Sequence, residues 1–425
     1  MEVKKYKLGE LLSKIENGAV IKQNKGATGI PITRIETLSN GLFNRGKLGY
    51  ADIEDPTLYA NYVLEDNDLL MSHINSKEFV GRTVIYKKQE NECIIHGMNL
   101  LRIKTNAKLL DPEFAYYYFQ TDTIKRSLYN LRKDAIGQSS IAISDIKNMV
   151  VSVPNISIQK EIAFVLRCYD RRIELNRAIN QNLEAIAKQL YDYWFVQFDF
   201  PGENGKPYKS SGGKMVWNEK LKREIPENWH SDNICLIADI LSGGTPSKQI
   251  NEYWNCGRIP FFGPTDYNGS MFQLQTADKI TESGLQHCSS SLFEENTIII
   301  TARGSIGKLV IVGTPMAMNQ SCYALKSKNE EYEYLYFLTI QLIESLKAKG
   351  SGSVFKSIIA SDIENTMLCV ANKGIISLFC DKVSPIMKQI KKNTQEMIHL
   401  TKQRDELLPL LMNGQVSVNS DLSDD

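Results

Sequence analysis

One feature limits the fold more than any other: a heptad stripe that occurs twice. Between Ile162 and Trp194, residues recur at alternating steps of four and three: Ile162, Leu166, Tyr169, Ile173, Asn176, Asn180, Leu183, Ala187, Leu190 and Trp194. That is the a/d seam of a coiled coil. Shifted by 217 residues, the same positions are Phe379, Val383, Ile386, Ile390, Asn393, Met397, Leu400, Arg404, Leu407 and Leu411, again mostly apolar and in phase. A long helix with such a stripe has to bury it, and the simplest partner is the other copy. Antiparallel pairing in full overlap sets Leu166 against Leu407, Ile173 against Leu400, Leu183 against Ile390, Leu190 against Val383 and Trp194 against Phe379. Asn180 then faces Asn393, and a buried Asn pair fixes register at some cost in stability. Pro385 either follows an N-cap at Ser384, where the helix proper would start, or kinks a longer helix. Pro409 bends or ends the last turn.

The regions before the two helices also repeat. IPITRIETLSNGLF at 30–43 matches IPFFGPTDYNGSMF at 259–272, and DLLMSHINSKEFVGRTVIY at 68–86 matches NTIIITARGSIGKLVIV at 296–312. GMNLLRI at 97–103 matches AMNQSCYAL at 317–325, FAYYYF at 114–119 matches YEYLYF at 332–337, and IAISDI at 141–146 matches IIASDI at 358–363. The offset falls from 229 to 217 along the unit, so the gaps lie in loops between matching segments. Each half has the order globule, then long helix.

These signals predict an α+β chain: two similar mixed α/β domains separated by two long antiparallel helices that form a coiled coil, a pseudo-twofold internal repeat. The expected boundaries are 1–154 for the first globule, 155–197 for the central helix, 198–229 for a linker, 230–373 for the second globule, 374–413 for the C-terminal helix and 414–425 for a frayed acidic tail. In the first globule, strands are expected around Ile30–Ile35, Asp68–Met71, Arg82–Tyr86 and Val150–Pro154, with helical pieces at Leu8–Ile15 and Pro112–Leu131. The linker is rich in Gly, Pro, Lys and Ser, the composition of a surface connector.

Composition narrows the class. The hydrophobic share is 42% and the charged share 23%, ordinary for a globular protein. No apolar run reaches the ~18 residues of a membrane span, and MEVKKYKLGE has no apolar signal core, so a cytoplasmic chain is expected. The eight cysteines form no CxxC pair and the histidines no HxxxH pair, which argues against a metal site. The net charge of +1 gives no bulk attraction to nucleic acid. Any DNA surface needs local Lys and Arg.

Several stretches resemble the specificity subunit of type I restriction-modification enzymes. LSGGTPSKQINEYWNCGRIPFF at 241–262 resembles that family's Gly-Thr-Pro-Ser segment followed by Tyr-Trp and Ile-Pro. TARGSIGKLVIV at 301–312 and AMNQSCYAL resemble its next two strands. IPENW at 225–229 resembles the entry to its second recognition domain, FDFP at 198–201 the end of its first long helix, and IQKEI at 158–162 its Gln-x-x-Ile helix start. The chain departs from the pattern at VANKGIISLF, which lacks the usual Pro and Gln, and at GAVIKQNKGATG, which replaces Gly-Thr-Pro-Ser in the first globule.

The resemblance implies a reader of a bipartite DNA target, each globule a target recognition domain for one half-site. Its partners would be double-stranded DNA, two methyltransferase (M) subunits docked on the helices, and restriction/motor (R) subunits. S-adenosylmethionine, ATP and Mg would be used by those partners, and this chain would hold no cofactor and do no catalysis. The candidate DNA contacts are Lys22, Lys25, Arg34, Lys47, His73 and Arg82 in the first globule, and Thr245, Ser247, Lys248, Arg303 and Lys308 in the second. Arg45 lies among the first set. Taken singly, each of these is also an ordinary solvated residue: residues 1–154 carry 21 Lys and Arg against 18 Asp and Glu, a small surplus. ARGSIGK at 302–308 is not GxxxxGK[ST], since Leu309 stands where the hydroxyl should be, so Gly304 and Gly307 read as turn residues. No Asn/Asp-Pro-Pro-Tyr/Phe run, Walker A motif or helicase box is present. The competing classes are a fused methyltransferase or nuclease, which would bind S-adenosylmethionine or alter DNA alone, and a non-catalytic coiled-coil scaffold protein, which would show no salt-sensitive DNA binding.

Overall fold

The structure, a computed structural model, describes residues 2–24, 28–39, 41–53, 55–349 and 357–418. It divides into two compact units, one built from residues 1–172 and 400–425, the other from 173–399. Both boundaries fall inside the long helices, so each unit keeps its own stretch of helix pair, unlike the six-part division read from the sequence.

In the first unit, a four-stranded antiparallel sheet has the order Thr83–Ile85, Leu69–Met71, Leu101–Thr105, Leu12–Asn17. Its centre is covered on both faces, which is why Leu69, Leu70 and Met71 run without polar alternation. Leu69 and Met71 join the main core with Ile103, Phe114 and Phe119, while Leu70 points the other way to Leu64, Val84 and Tyr86. Leu8–Ile15, expected as helix, is a 3-10 turn over Leu8–Leu11 followed by the edge strand. Pairing of Ile15 with Ile103 overrides the local helical spacing. The expected Pro112–Leu131 helix is two, Pro112–Gln120 and Asp122–Leu131. Asp111 caps the first and Thr121 interrupts the run to cap the second. Val150–Pro154 pairs with Val3–Lys7 to close the globule.

The second unit repeats this plan. Its sheet has the order Ala238–Ser242, Cys322–Ser327, Ile298–Thr301, Leu309–Val312, with Phe272–Gln273 added in parallel at the edge. Leu368–Val370 pairs with His230–Asp232 as the closing strand. The helix Tyr332–Lys349 and the short helix Ala360–Glu364 follow in the same order as their counterparts. The stretch 198–229, expected as a surface linker, is a correction. It forms the hairpin Met215–Asn218/Arg223–Pro226, and it buries Phe198, Phe200, Ile225 and Trp229 in the unit's core. Four large apolar groups outweigh the Gly, Pro and Lys between them.

The central helix spans Ile156–Tyr191, runs through a π turn at Asp192–Val196, and is capped by Asn155, whose Oδ1 accepts from the Ile158 amide at 3.1 Å. The C-terminal helix spans Lys373–Met412 and is capped in the same way by Asn372, which accepts from Ile375 at 3.0 Å. It therefore starts well before Pro385 and carries both prolines within its length. Gln159, fully buried, explains the Gln at a helix start of this kind: its amide accepts from the Asp111 amide at 2.9 Å and donates to the Leu109 and Pro154 carbonyls. The equivalent in the second unit, Ile376, meets an apolar core instead.

Along the seam, Leu166, Ile173, Trp194, Phe379, Val383 and Ile390 are buried. Leu183, Leu190, Leu400 and Leu407 are half-buried. In the second unit the partners run antiparallel: Trp194 packs on Phe379, and Asn393 donates to Asn180 Oδ1 at 2.8 Å. Asn180 in turn donates to Thr394 Oγ1 and to the Ile390 carbonyl, both at 3.2 Å. In the first unit the polar seam position Arg404 ion-pairs with Asp170, which also accepts from Tyr117 Oη at 2.6 Å. Among the described residues, no helix is long and apolar enough to cross a membrane.

Candidate nucleic-acid interface

In each unit, segments that carry predicted contact residues leave the sheet at one end. Asn17 pairs with Leu101, Leu101 with Met71, and Met71 with Thr83, so the segments 18–23, 72–82 and 96–100 emerge together. In the second unit Ser242 pairs with Tyr323, Tyr323 with Ile300, and Ile300 with Leu309, so 243–248, 302–308 and 319–321 emerge together.

The glycines of the Gly-Thr-Pro-Ser segment serve packing. A Cβ on Gly243 would stand 2.2 Å from the Asn319 carbonyl oxygen, and one on Gly244 would stand 2.2 Å from Ser289 Oγ. The Gly244 amide donates to the Met318 carbonyl at 3.0 Å, which takes it away from any phosphate. The first unit has the same device in other letters. Gly18 touches the His96 and Gly97 backbone, and the Ala19 amide donates to the His96 carbonyl at 2.8 Å. GAVIKQ is therefore the structural counterpart of GGTPSK, which places Lys22 beside the position of Ser247.

Thr245 donates to Gln320, while Ser247 and Lys248 are exposed. The Lys248 ammonium lies 5.7 Å over the Trp254 ring, whose Nε1 donates to the Ser247 carbonyl at 3.0 Å. Arg303 is exposed on a loop held by its own amide, which donates to the Ser321 carbonyl at 3.2 Å. Lys308 is exposed with its ammonium 5.4 Å over the Tyr267 ring. Gly307, at φ +72°, leaves a Cβ only 2.9 Å from Ile343, so the turn needs glycine there. Trp254, Tyr267, Asn319 and Gln320 complete this end, and no spacing in the sequence announced them.

In the first unit Arg34 donates through Nε to Gln23 and packs against Gly49, bringing Lys22, Arg34 and Lys47 onto one small sheet of Gln23–Asn24, Gly49–Ala51 and Ile30–Ile32. Lys22 and Lys47 are exposed. Lys25 lies outside the described residues. Arg82 sits 4.5 Å over the Phe79 ring at the equivalent of Lys308, after Gly81, the equivalent of Gly307. Two residues do not fit the expectation. His73 is buried, because its carbonyl accepts from Ile141 at 2.9 Å just as Ala302 accepts from Ile358; it occupies a core position of the repeat. Arg45 is taken by Glu92 at 2.7 and 2.9 Å and by the Lys87 carbonyl, and this pairing holds the Glu92 carboxyl down at about 2.

A family model described as the type I restriction modification DNA specificity domain matches twice, over residues 1–185 and 226–396. The chain belongs to the type I restriction-modification specificity subunits. The putative MjaX specificity subunit of Methanocaldococcus jannaschii is 26% identical over 97% of this chain and 93% of that one. The HindI specificity subunit of Haemophilus influenzae is 22% identical over 86% of this chain and 90% of that one. The crystal structure of the type I S subunit from M. genitalium shares the fold, with a TM-score of 0.56 at 17% identity, covering 97% of this chain and 96% of that one. Each match of the family model includes one sheet end, so the specificity subunit carries its candidate interface in duplicate.

Proposed function

We propose that this specificity subunit reads a bipartite DNA target, one half-site per unit, through the loops at the end of each unit's main sheet. The carrying observation is the duplicated sheet end: the same backbone device at Gly18–Ala19 and Gly243–Gly244 presents different basic side chains, Lys22, Arg34, Lys47 and Arg82 in one unit and Lys248, Arg303 and Lys308 in the other. A shared scaffold with divergent loop chemistry suits two readers of different sequences. In this reading the paired helices form the coiled coil that spaces the readers and dock two methyltransferase subunits, with restriction/motor subunits joining for cleavage in the cytoplasm. S-adenosylmethionine, ATP and Mg act in those partners, and the chain itself is neither catalytic nor cofactor-bound. A bare scaffold would have no use for two basic loop sets on matched sheet ends.

The test is an exchange. Replacing residues 1–154 with the corresponding unit of a relative, in a host that also expresses the cognate methyltransferase, should change one half of the methylated-adenine motif and leave the other. Simultaneous change of both halves would sink the two-reader assignment.

A further inference from the structure

Beside the first sheet end stands a ribbon with no counterpart in the contacts above. Lys133–Ala135 and Gln138–Ser140 pair antiparallel around a two-residue turn, Ile136–Gly137. Gly137 takes φ +78°, a conformation that favours glycine. Ile136 has no such reason to be there. Of the two turn residues only Gly137 has positive φ, so position 136 accepts most residues and the turn itself does not call for an isoleucine. Here an isoleucine projects fully into solvent, the most exposed large apolar side chain among the described residues.

The root of the ribbon is tied down. The Arg132 guanidinium forks onto Asp134 and stacks 3.9 Å over the Tyr129 ring. Ser139 Oγ donates to Asp134 at 2.7 Å, and the Lys77 ammonium lies 3.4 Å from the same carboxylate. Ser139 and Ser140 pair with Asn75 and Ile74, and the Ile141 amide donates to the His73 carbonyl. The ribbon is thus fixed to segment 72–82, at the sheet end already assigned to DNA. Exposed Lys77 and Lys133 flank it.

We propose that this ribbon enters the major groove of the first half-site and that Ile136 reads the 5-methyl group of a thymine. The inference rests on the specificity reading above. The major groove, about 12 Å wide, admits a two-stranded ribbon, and the thymine methyl is the one base-edge group an aliphatic side chain recognises. Among the described residues, Lys77 and Lys133 are held only by exposed ion pairs, with Asp134 at 3.4 Å and Asp145 at 3.6 Å, weak enough to be exchanged for flanking phosphates. A protein partner favours a patch centre depleted of charge, whereas Ile136 is flanked by exposed Lys133, Asp134 and Gln138.

The experiment uses the intact chain assembled with its methyltransferase, on duplexes carrying the motif found by methylated-adenine sequencing. Each thymine of the first half-site is replaced in turn by deoxyuridine, which lacks only the methyl group. One replacement should weaken binding of the wild-type complex about fourfold, the scale of one buried methyl. Ile136→Ala should lose a similar factor on the unmodified duplex and be indifferent to that replacement, while Ile136→Val keeps the sensitivity. A methylating wild-type complex indifferent to every deoxyuridine, or an Ile136→Ala complex as sensitive as wild type, overturns the ribbon's role alone. Loss of methyltransferase assembly by a natively folded Ile136→Ala chain would assign the tip to protein docking and overturn it too. A wild-type complex that neither methylates nor retains any duplex removes the specificity reading, and the ribbon's role with it.

Discussion

His96 is buried with one ring nitrogen satisfied and one not. Its Nε2 donates to the Leu100 carbonyl at 2.9 Å, while Nδ1 has no partner among the described residues. Burial, reinforced by nearby Arg102, pushes its pKa down to about 4 from an ordinary 6.5. The neutral ring is therefore favoured in the folded state, and the unfolded chain binds the proton first as pH falls. The contribution is whole above pH 6.5 and is lost as pH drops from there through about 4, amounting to at most about 3 kcal/mol. His96→Gln should flatten the fall in unfolding midpoint over that window, followed by circular dichroism on the intact chain; an unchanged slope would mean that carboxylates and His73, whose pKa burial also lowers, carry the acid sensitivity. His73 shows why such residues mislead a reader of the sequence. Between Ser72 and Asn75 it looks like part of a polar loop, and only the hydrogen bond to Ile141 shows that it fills the position held by Ala302 in the other unit.

At the scale of elements, the Asn180–Asn393 layer tests how the helices hold their register. Asn180→Leu leaves the Asn393 amide buried without its acceptor, a cost of about 1–3 kcal/mol. Asn180→Leu with Asn393→Leu removes both polar groups, and Thr394 still donates to the Ile390 carbonyl at 2.8 Å. The double variant should melt no lower than either single one, since an apolar pair satisfies itself. Losses that simply add would show that the two side chains do not interact. The long helices were legible because a period of seven over many turns has few alternative meanings. The strands were legible where both faces are covered, as in Leu69–Met71 within the expected Asp68–Met71. The hairpin 133–140 was not, because it is short, polar and paired only to a distant segment. Nor was the likeness of GAVIKQ to GGTPSK, since the backbone approach needs one glycine and a small neighbour rather than a fixed string.

For the whole molecule, the proposed spacing role of the helices can be tested without touching either core. Residues 173–179 and 394–400 belong to neither the main core of the first unit nor that of the second. Under the antiparallel register these two heptads face one another, so deleting both keeps the seam in phase on either side. It also leaves Asn180 facing Asn393, and the Asp170–Arg404 pair intact. Seven residues of helix are ~10 Å, and at ~3.4 Å per base pair that is roughly three base pairs of spacer. Three base pairs also turn one half-site by ~100° about the duplex, at ~10.5 pairs per turn. Binding should therefore weaken unless the DNA twists, and any methylation that survives should move to a shorter spacer while both half-site sequences stay the same. Sequencing of methylated adenines in cells expressing the shortened chain with its methyltransferase reads spacer and half-sites together. Methylation persisting at the original spacing would show that the distance is set by the partner subunits, with the helices serving only to join the two readers.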